Sequence, residues 1–244
     1  MDVATPWIAT AVALVLLASI ASVGLGVFRI PEPRAATFAL VRAALQLGVL
    51  SVILTGIVSD PLWVGVGLFV MYAAAVATAV RRVGGSVSAL ALSMALGPLT
   101  VMAIVFVTGA IEFSPRYVLA IGGIVIGNTM TIAILTQRIF RTSVHDHWDE
   151  VEGWLALGAT ARRSTLELGR RAIDTALMPS VDQTRTTGIV VLPGAFVGAI
   201  FAGASPLEAG RFQPVVLACI LAAGVLTAVT LTRLTGAIAL RPLP

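Results

Sequence analysis

Residues 86–110 read SVSALALSMALGPLTVMAIVFVTGA, twenty-five consecutive positions without a charged side chain. A helix rises 1.5 Å per residue, so about 20 apolar residues cross the roughly 30 Å hydrocarbon core of a bilayer. Working outward from this stretch, the same reading applies at 7–28, 36–58, 61–80, 117–137, 187–205 and 214–232. Of the seven, only 36–58 holds a charge, Arg42. The pattern predicts an all-α polytopic membrane protein of about seven transmembrane helices, with a single transmembrane domain over 1–244.

Composition agrees. The 244-residue chain is 58% hydrophobic and 11% charged, against roughly 25% charged for soluble domains. Too few polar side chains remain to cover a water-facing surface, which excludes a soluble enzyme, a secreted disulfide scaffold and a disordered regulator. The single Cys219 cannot form an internal disulfide. A secretory signal would begin with a basic region before a 7–15-residue apolar core. Here no basic residue precedes Arg29 and the run at 7–28 is longer, so the first stretch reads as a span.

Sixteen arginines and no lysine stand against twelve acidic residues, for a net charge of +4. In a soluble chain this excess suggests nucleic acid; in a membrane protein it reports topology, because basic residues accumulate in cytoplasmic loops. With seven spans, one side collects thirteen arginines and the other two, Arg116 and Arg211. The count predicts an outside N-terminus and a cytoplasmic C-terminus, and no nucleic-acid partner. Without lysine the chain cannot build a P-loop, whose Lys reaches the nucleotide β- and γ-phosphates.

Loops on the outer side are short. The long segment 138–186 falls on the cytoplasmic side, with seven arginines and seven acids. Val151, Trp154, Leu155, Gly158 and Ala161 recur at helical spacing. Arg163–Glu167, Glu167–Arg171 and Arg170–Asp174 are i,i+4 charge pairs, and Leu166, Ile173 and Leu177 extend an apolar stripe. The spacing predicts one amphipathic helix over 150–178, stopped by Pro179. Periodicity leaves two readings open: a solvated linker lying on the membrane surface, or an element that docks into a partner.

The run EVEGWLALGAT (150–160) resembles the cytoplasmic loop of ABC-transporter permeases, where an acidic residue precedes a glycine by six positions, as Glu152 precedes Gly158. A narrower resemblance runs through Arg42-Ala-Ala-Leu-Gln46-Leu, IGGIVIGNTM (121–130), EVEGWLALGAT and TTGIVVLPGAFVGAIFAGASPLEAGRFQ (186–213). Together they are similar to the Fet-type permeases, bacterial half-transporters linked to iron export and related to plant half-transporters of aluminium tolerance. That resemblance implies an inner-membrane permease that pairs with a second copy of itself and with a separate ATP-binding subunit. It implies export of iron or another metal, and coupling to the ATPase through Glu150, Glu152, Trp154, Leu155 and Gly158. Ile124, Ala195 and Phe196 stand where the family usually carries methionines.

Candidates for a substrate pathway follow from polar groups inside spans. A charge at the bilayer centre costs about 2.5–3.5 kcal/mol on insertion scales, so Arg42 either lines a cavity or snorkels to the interface. Gln46 lies one turn further on the same face. Asn128, Thr129, Met130 and Gln137 form a polar edge of the fifth span, and Pro193 is expected to break the sixth. Gly123-x-x-x-Gly127 and Gly194-x-x-x-Gly198 are patterns for close helix packing. His145 and His147 sit two apart, on different helix faces, with no other histidine in the chain. No metal site, cofactor or catalytic constellation is expected. None of the seven stretches holds a carboxylate, which weighs against the rival reading of a secondary transporter or channel with no ATPase partner.

Overall fold

A computed structural model describes residues 4–29, 31, 35–57 and 60–241. Met1, Arg34 and Pro244 lie outside these described residues. Every regular element among them is helical, apart from an isolated bridge pairing Thr187 with Val191. The contacts divide the chain into two compact units, Met1–Val58 and Ser59–Pro244.

The first unit is a hairpin of α1 (Ala4–Val27) and α2 (Ala35–Ile57). Ser22 and Thr37 join the two helices through their hydroxyls at 2.7 Å. Most described side chains of both helices are exposed apolar groups, such as Val15, Leu17, Phe38 and Leu45. Such a surface suits lipid and not water.

The second unit holds α3 (Pro61–Val83), α4 (Val87–Val107), α5 (Pro115–Asp146), α6 (Trp148–Ala156), α7 (Ala161–Ser164), α8 (Leu166–Thr186), α9 (Gly194–Phe201) and α10 (Pro206–Thr235). Three of its long helices open on the same device: Asp60-Pro61, Ser114-Pro115 and Ser205-Pro206. In each, a side-chain oxygen accepts a first-turn backbone N–H, and the proline fills a position whose N–H would be unpaired. At α10 the Glu208 side chain also reaches back to the Ser205 backbone N–H at 3.0 Å, completing a capping box.

Packing centres on α10, which lies against α4, α5 and α8. Glycine permits the closest approaches. A methyl group on Gly97 would sit 2.5 Å from the Ala223 carbonyl oxygen, and one on Gly224 would sit 2.5 Å from Ile132 Cδ1 and 3.3 Å from Leu177 Cδ2. Ile121 and Val125 share a cluster with Cys219 and Ala223, and Thr235 donates to Gln137 Oε1 at 3.2 Å, so α5 and α10 run parallel. Gly122 and Gly123 receive Leu68 and Met71 of α3. The anticipated glycine pairs are only partly used: Gly123 is a contact, whereas Gly127, Gly194 and Gly198 have open space where a Cβ would be.

Among the described residues, five helices are long and apolar enough to cross a membrane: Ile8–Val27 within α1, then α3, α4, α5 and α10, with the shorter apolar run Ala35–Ser51 in α2. The stretch 187–205 departs from expectation. Its only helix is the eight-residue α9, about 12 Å long and too short to span. Residues 187–193 fold back instead, with Gly188 N–H bonded to the Val191 carbonyl, and Pro193 is the N-cap of α9. Glycine and proline interrupt this stretch although its hydropathy is high.

The segment 138–186 also departs. Residues 138–146 are the continuation of α5, and 150–178 forms parts of three helices, not one. Pro179 lies inside α8 and does not end it. Packing of Ala172, Ala176 and Leu177 against neighbouring helices holds α8 across the lost hydrogen bond. Nor does this segment stand apart from the spans, because α8 packs along α5 and α10.

Candidate functional site

Two features collect the polar chemistry of the larger unit. The first is the end where α5 runs on to Asp146 and α10 stops at Thr235, the arginine-rich end. Phe140, Val144, Val151, Leu168 and Ala172 form a buried cluster there, with Trp148, Leu155 and Ile238 packed against it. Val151 is fully buried, and Leu155 follows one turn later on the same side of α6. Trp154 is 47% exposed, so the anticipated single face of Val151, Trp154, Leu155, Gly158 and Ala161 divides. Val151 and Leu155 anchor α6, while Trp154 and the 82%-exposed Leu157 face outward.

Gly158 ends α6. Its φ is +85°, its N–H bonds to the Leu155 carbonyl at 2.9 Å, and the Ala159 N–H bonds to the Trp154 carbonyl at 3.0 Å. This is a Schellman stop with glycine at the left-handed position, which side chains with a Cβ adopt only at a cost. Nothing lies within 4 Å of where a Cβ would be, so Gly158 is an exposed turn. Glu150 and Glu152 are exposed on α6. From Gly158 the chain enters α7 through the Thr160 cap. Thr165 then donates to the Gly236 carbonyl at 2.5 Å, and Arg162 to the Arg233 carbonyl at 2.9 Å. The α6–α7 element is therefore fixed to α5 at one end and to the foot of α10 at the other.

A basic cleft lies beside it, lined by Arg82, Arg138, Arg141, Thr142, His145 and Asp146. Arg141 donates to the Val83 carbonyl at 2.6 Å, locking α3 to α5. His145 pairs with Asp146 at 3.2 Å, and His147 Nδ1 lies 2.9 Å from the Ser143 carbonyl. Among the described residues, no three His, Cys, Asp or Glu side chains converge as a metal-binding group.

The second feature is the outer face of α8. Arg171, Asp174, Thr175, Met178, Asp182 and Arg185 are exposed along one side, while Gly169, Ala172 and Ala176 are buried on the other. Asp182 pairs with Arg185 at 3.5 Å, and Glu167 with Arg170 at 3.5 Å and Arg171 at 3.7 Å. Sequence reasoning missed this face as a site, because its charges were assigned to a cytoplasmic excursion. The signal that could have exposed it is the small-residue row Gly169, Ala172 and Ala176, a packing face running through a charged stretch.

The anticipated pathway residues fall on three elements, α2, α5 and the start of α9. Arg42 and Gln46 are both exposed on α2. Asn128 is half-buried and donates to the Ile124 carbonyl of its own helix at 2.8 Å. Thr129 is buried and donates to the Ile126 carbonyl, and Met130 packs into the cluster formed by α3, α4, α5 and α10. Pro193 lies at the start of α9, whose Ala199 lines a cleft with Glu112 and Tyr117 at the N-terminal end of α5, away from α6.

A bundle of long apolar helices defines a multi-pass helical membrane protein. The chain belongs to the uncharacterised protein family UPF0014, whose model matches residues 6–238. It is 35% identical to the UPF0014 membrane protein STAR2 of Oryza sativa subsp. japonica over 202 residues, covering 81% of this chain and 71% of that protein. It is 38% identical to Protein ALUMINUM SENSITIVE 3 of Arabidopsis thaliana over 143 residues, covering 59% of this chain and 52% of that protein. With the probable iron export permease protein FetB of Escherichia coli the identity is 33% over 144 residues, 59% of this chain and 56% of that protein. The matches to the last two thus span about half of each relative's length. No solved structure matches the chain.

Proposed function

We propose that this chain is the membrane subunit of an ABC-type half-transporter in the inner membrane. It exports a metal, iron being the first to test, as a homodimer driven by a separate ATP-binding subunit. The observation that carries the reading is the α6–α7 element. It presents Trp154 and Leu157 outward at the arginine-rich end while hydrogen bonds and a buried cluster tie it to α5 and α10. A groove on an ATPase that gripped this element could transmit movement to both helices. Positive-inside bias supports a cytoplasmic position for that end, with the N-terminus outside. The 33% identity to a probable iron export permease supports the substrate and the direction.

Glu150, Glu152, Trp154, Leu155 and Gly158 form the coupling set in this reading, with Leu155 anchoring and the others facing the partner. Gly158→Arg leaves membrane insertion normal, releases the ATPase on co-purification and abolishes permease-stimulated ATP hydrolysis. Gly158→Ala carries the same backbone strain with little bulk, so it retains the ATPase if docking is what Arg blocks. A Gly158→Arg complex that co-purifies and hydrolyses ATP like the wild type overturns the proposal.

Arg42, Gln46, Asn128, Thr129, Met130 and Pro193 remain the proposed pathway set. The part of Arg42 and Gln46 in it is supported by their being polar groups one turn apart on a helix whose described surface is otherwise largely apolar. Arg42→Ala is expected to cut iron efflux from vesicles at least tenfold, a barrier change of about 1.4 kcal/mol, with the ATPase still bound. Normal efflux by that variant removes Arg42 from the path. The carboxylates Asp174 and Asp182 on a helix packed among the spans favour a second reading, ion-coupled transport without an ATPase. Efflux by the purified chain alone, driven by an ion gradient, distinguishes it.

A further inference from the structure

We infer that α8 crosses the membrane and that its polar face, Arg171, Asp174, Thr175, Met178, Asp182 and Arg185, is one wall of a water-filled transport route. The inference rests on the reading of the chain as a permease, but not on its having an ATPase.

Depth is the first argument. Between Arg211 and Arg233, α10 has no charged residue, and this stretch of 21 residues is about 32 Å long, enough for a bilayer core. Gly224 lies near its middle, nine residues from Arg233. There Leu177 of α8 and Ile132 of α5 meet, with Leu177 Cδ2 3.3 Å and Ile132 Cδ1 2.5 Å from where a Gly224 Cβ would be. Toward the arginine-rich end, Gly169 of α8 packs on Thr232 and Phe140. So α8 runs antiparallel to α10, from the level of Thr232 to the level of Gly224 over eight residues. Nine further residues, about 14 Å of helix, carry it to Thr186. The helix occupies the same thickness as α5 and α10, which carry no charged residue between Arg116 and Arg138 or between Arg211 and Arg233.

Chemistry is the second argument. Arg171 and Arg185 stand fourteen residues apart on one face, about 21 Å, inside the thickness of the hydrocarbon core. Between them lie Asp174, Met178 and Asp182, spaced i, i+4 and i+8. Asp182 has Arg185 for a partner, and Asp174 has none among the described residues. Ionisable groups at this depth face a bundle interior or a water-filled cavity. The opposite side of α8 already fills the bundle interior with Gly169, Ala172 and Ala176. The exposed side, with Arg171, Asp174, Asp182 and Arg185, is too polar for lipid and suits water, and a charged solute is what such a route admits.

The inference also preserves the topology. If α8 crosses and 187–205 does not, the count stays at seven and the termini stay on opposite sides. Arg185 moves to the outer side, and the arginine count becomes twelve against three, with the same orientation.

The test is cysteine accessibility of the full chain in proteoliposomes, with the buried Cys219 replaced by alanine. Thr175→Cys and Met178→Cys place a thiol on the proposed wall. Val225→Cys and Phe69→Cys place one on exposed apolar faces of α10 and α3, Val225 being at the depth of Leu177. A membrane-impermeant sulfonate methanethiosulfonate is applied to each side in turn; a thiolate attacks its sulfur and expels methanesulfinate, and forming that thiolate requires water. The expected result is modification of the α8 positions from at least one side on the order of 100-fold faster than the two controls. Rates at Thr175 and Met178 as slow as at Val225 from both sides overturn the inference. Two positions are used so that misfolding of one variant leaves the other decisive. The chain is labelled without an ATPase, so failure here is separate from failure of the coupling proposal.

Discussion

Residues 166–186 and 187–205 are neighbours in sequence and opposites in character. The first carries six charged residues and forms α8, a 21-residue helix packed on α5 and α10; the second carries none and forms one helix of eight residues. Mean hydropathy ranks them the wrong way round for helix length and packing. What distinguishes them is where small residues fall. In α8, Gly169, Ala172 and Ala176 let the backbone approach Phe140 and Thr232, whereas Gly194 and Gly198 of α9 meet nothing. Close approach between helices in a membrane comes from small side chains and van der Waals packing, since lipid is as apolar as leucine.

The largest expected effect breaks or confirms this contrast directly. Gly224→Val drives a branched side chain into Ile132 and Leu177, and overpacking of this kind costs about 1–3 kcal/mol. Gly194→Val meets open space and stays within about 0.5 kcal/mol of wild type. Thermal unfolding in detergent compares the two. Equal losses would make α9 a packed helix like α8 and dissolve the comparison.

Charge neutralisation is expected next. Asp174→Asn combined with Asp182→Asn leaves the buried face of α8 untouched, so the chain inserts and binds its ATPase normally. Transport of a cationic metal falls about tenfold, equivalent to 1.4 kcal/mol, because the wall loses its two carboxylates at mid-depth. Unchanged efflux of ferrous iron would detach these carboxylates from its path.

Much of the architecture was legible because long apolar runs with at most one charge have few alternatives: α1 to α4 fall where apolar length placed them, while α5 and α10 cover their predicted spans and run beyond them, α5 on to Asp146 and α10 from Pro206. The start of α10 was not legible: apolar length begins that span at 214, whereas the Ser205 cap and Pro206 open a helix that takes in Glu208 and Arg211. The stop at Gly158 was only half legible: the residue fits the helical spacing, yet glycine is poor inside a helix. The division of Trp154 from Leu155 was not, because periodicity says which residues share a face and not which neighbour covers it. The path of α8 was hidden for a similar reason. Its charge pairs look identical in water and in a hydrated cleft, and only the contacts of Leu177 with Gly224 and Ile132 reveal its position.

The smallest effects sharpen the comparison within α8 itself. Glu167 pairs with Arg170 and Arg171 at 3.5 and 3.7 Å near the start of the helix, and Asp182 pairs with Arg185 at 3.5 Å some fifteen residues on. All five side chains are more than half exposed. Exposed pairs three or four apart on a helix contribute about 0.3–0.5 kcal/mol, and salt screens them over a Debye length of about 8–10 Å. If the face of α8 is wet along its length, Glu167→Gln and Asp182→Asn each lower stability by no more than about 0.5 kcal/mol. Both differences then shrink as salt is raised, although one pair lies near the arginine-rich end and the other at membrane depth. In a dry environment, Asp182→Asn would leave Arg185 as an uncompensated charge, costing about 3–5 kcal/mol with little response to salt. Unfolding of the two variants across a salt series therefore reads the dielectric at each end of the helix. Similar, screened losses place water at Asp182; a large, salt-insensitive loss confined to Asp182→Asn places it in a closed interior and removes the wet face.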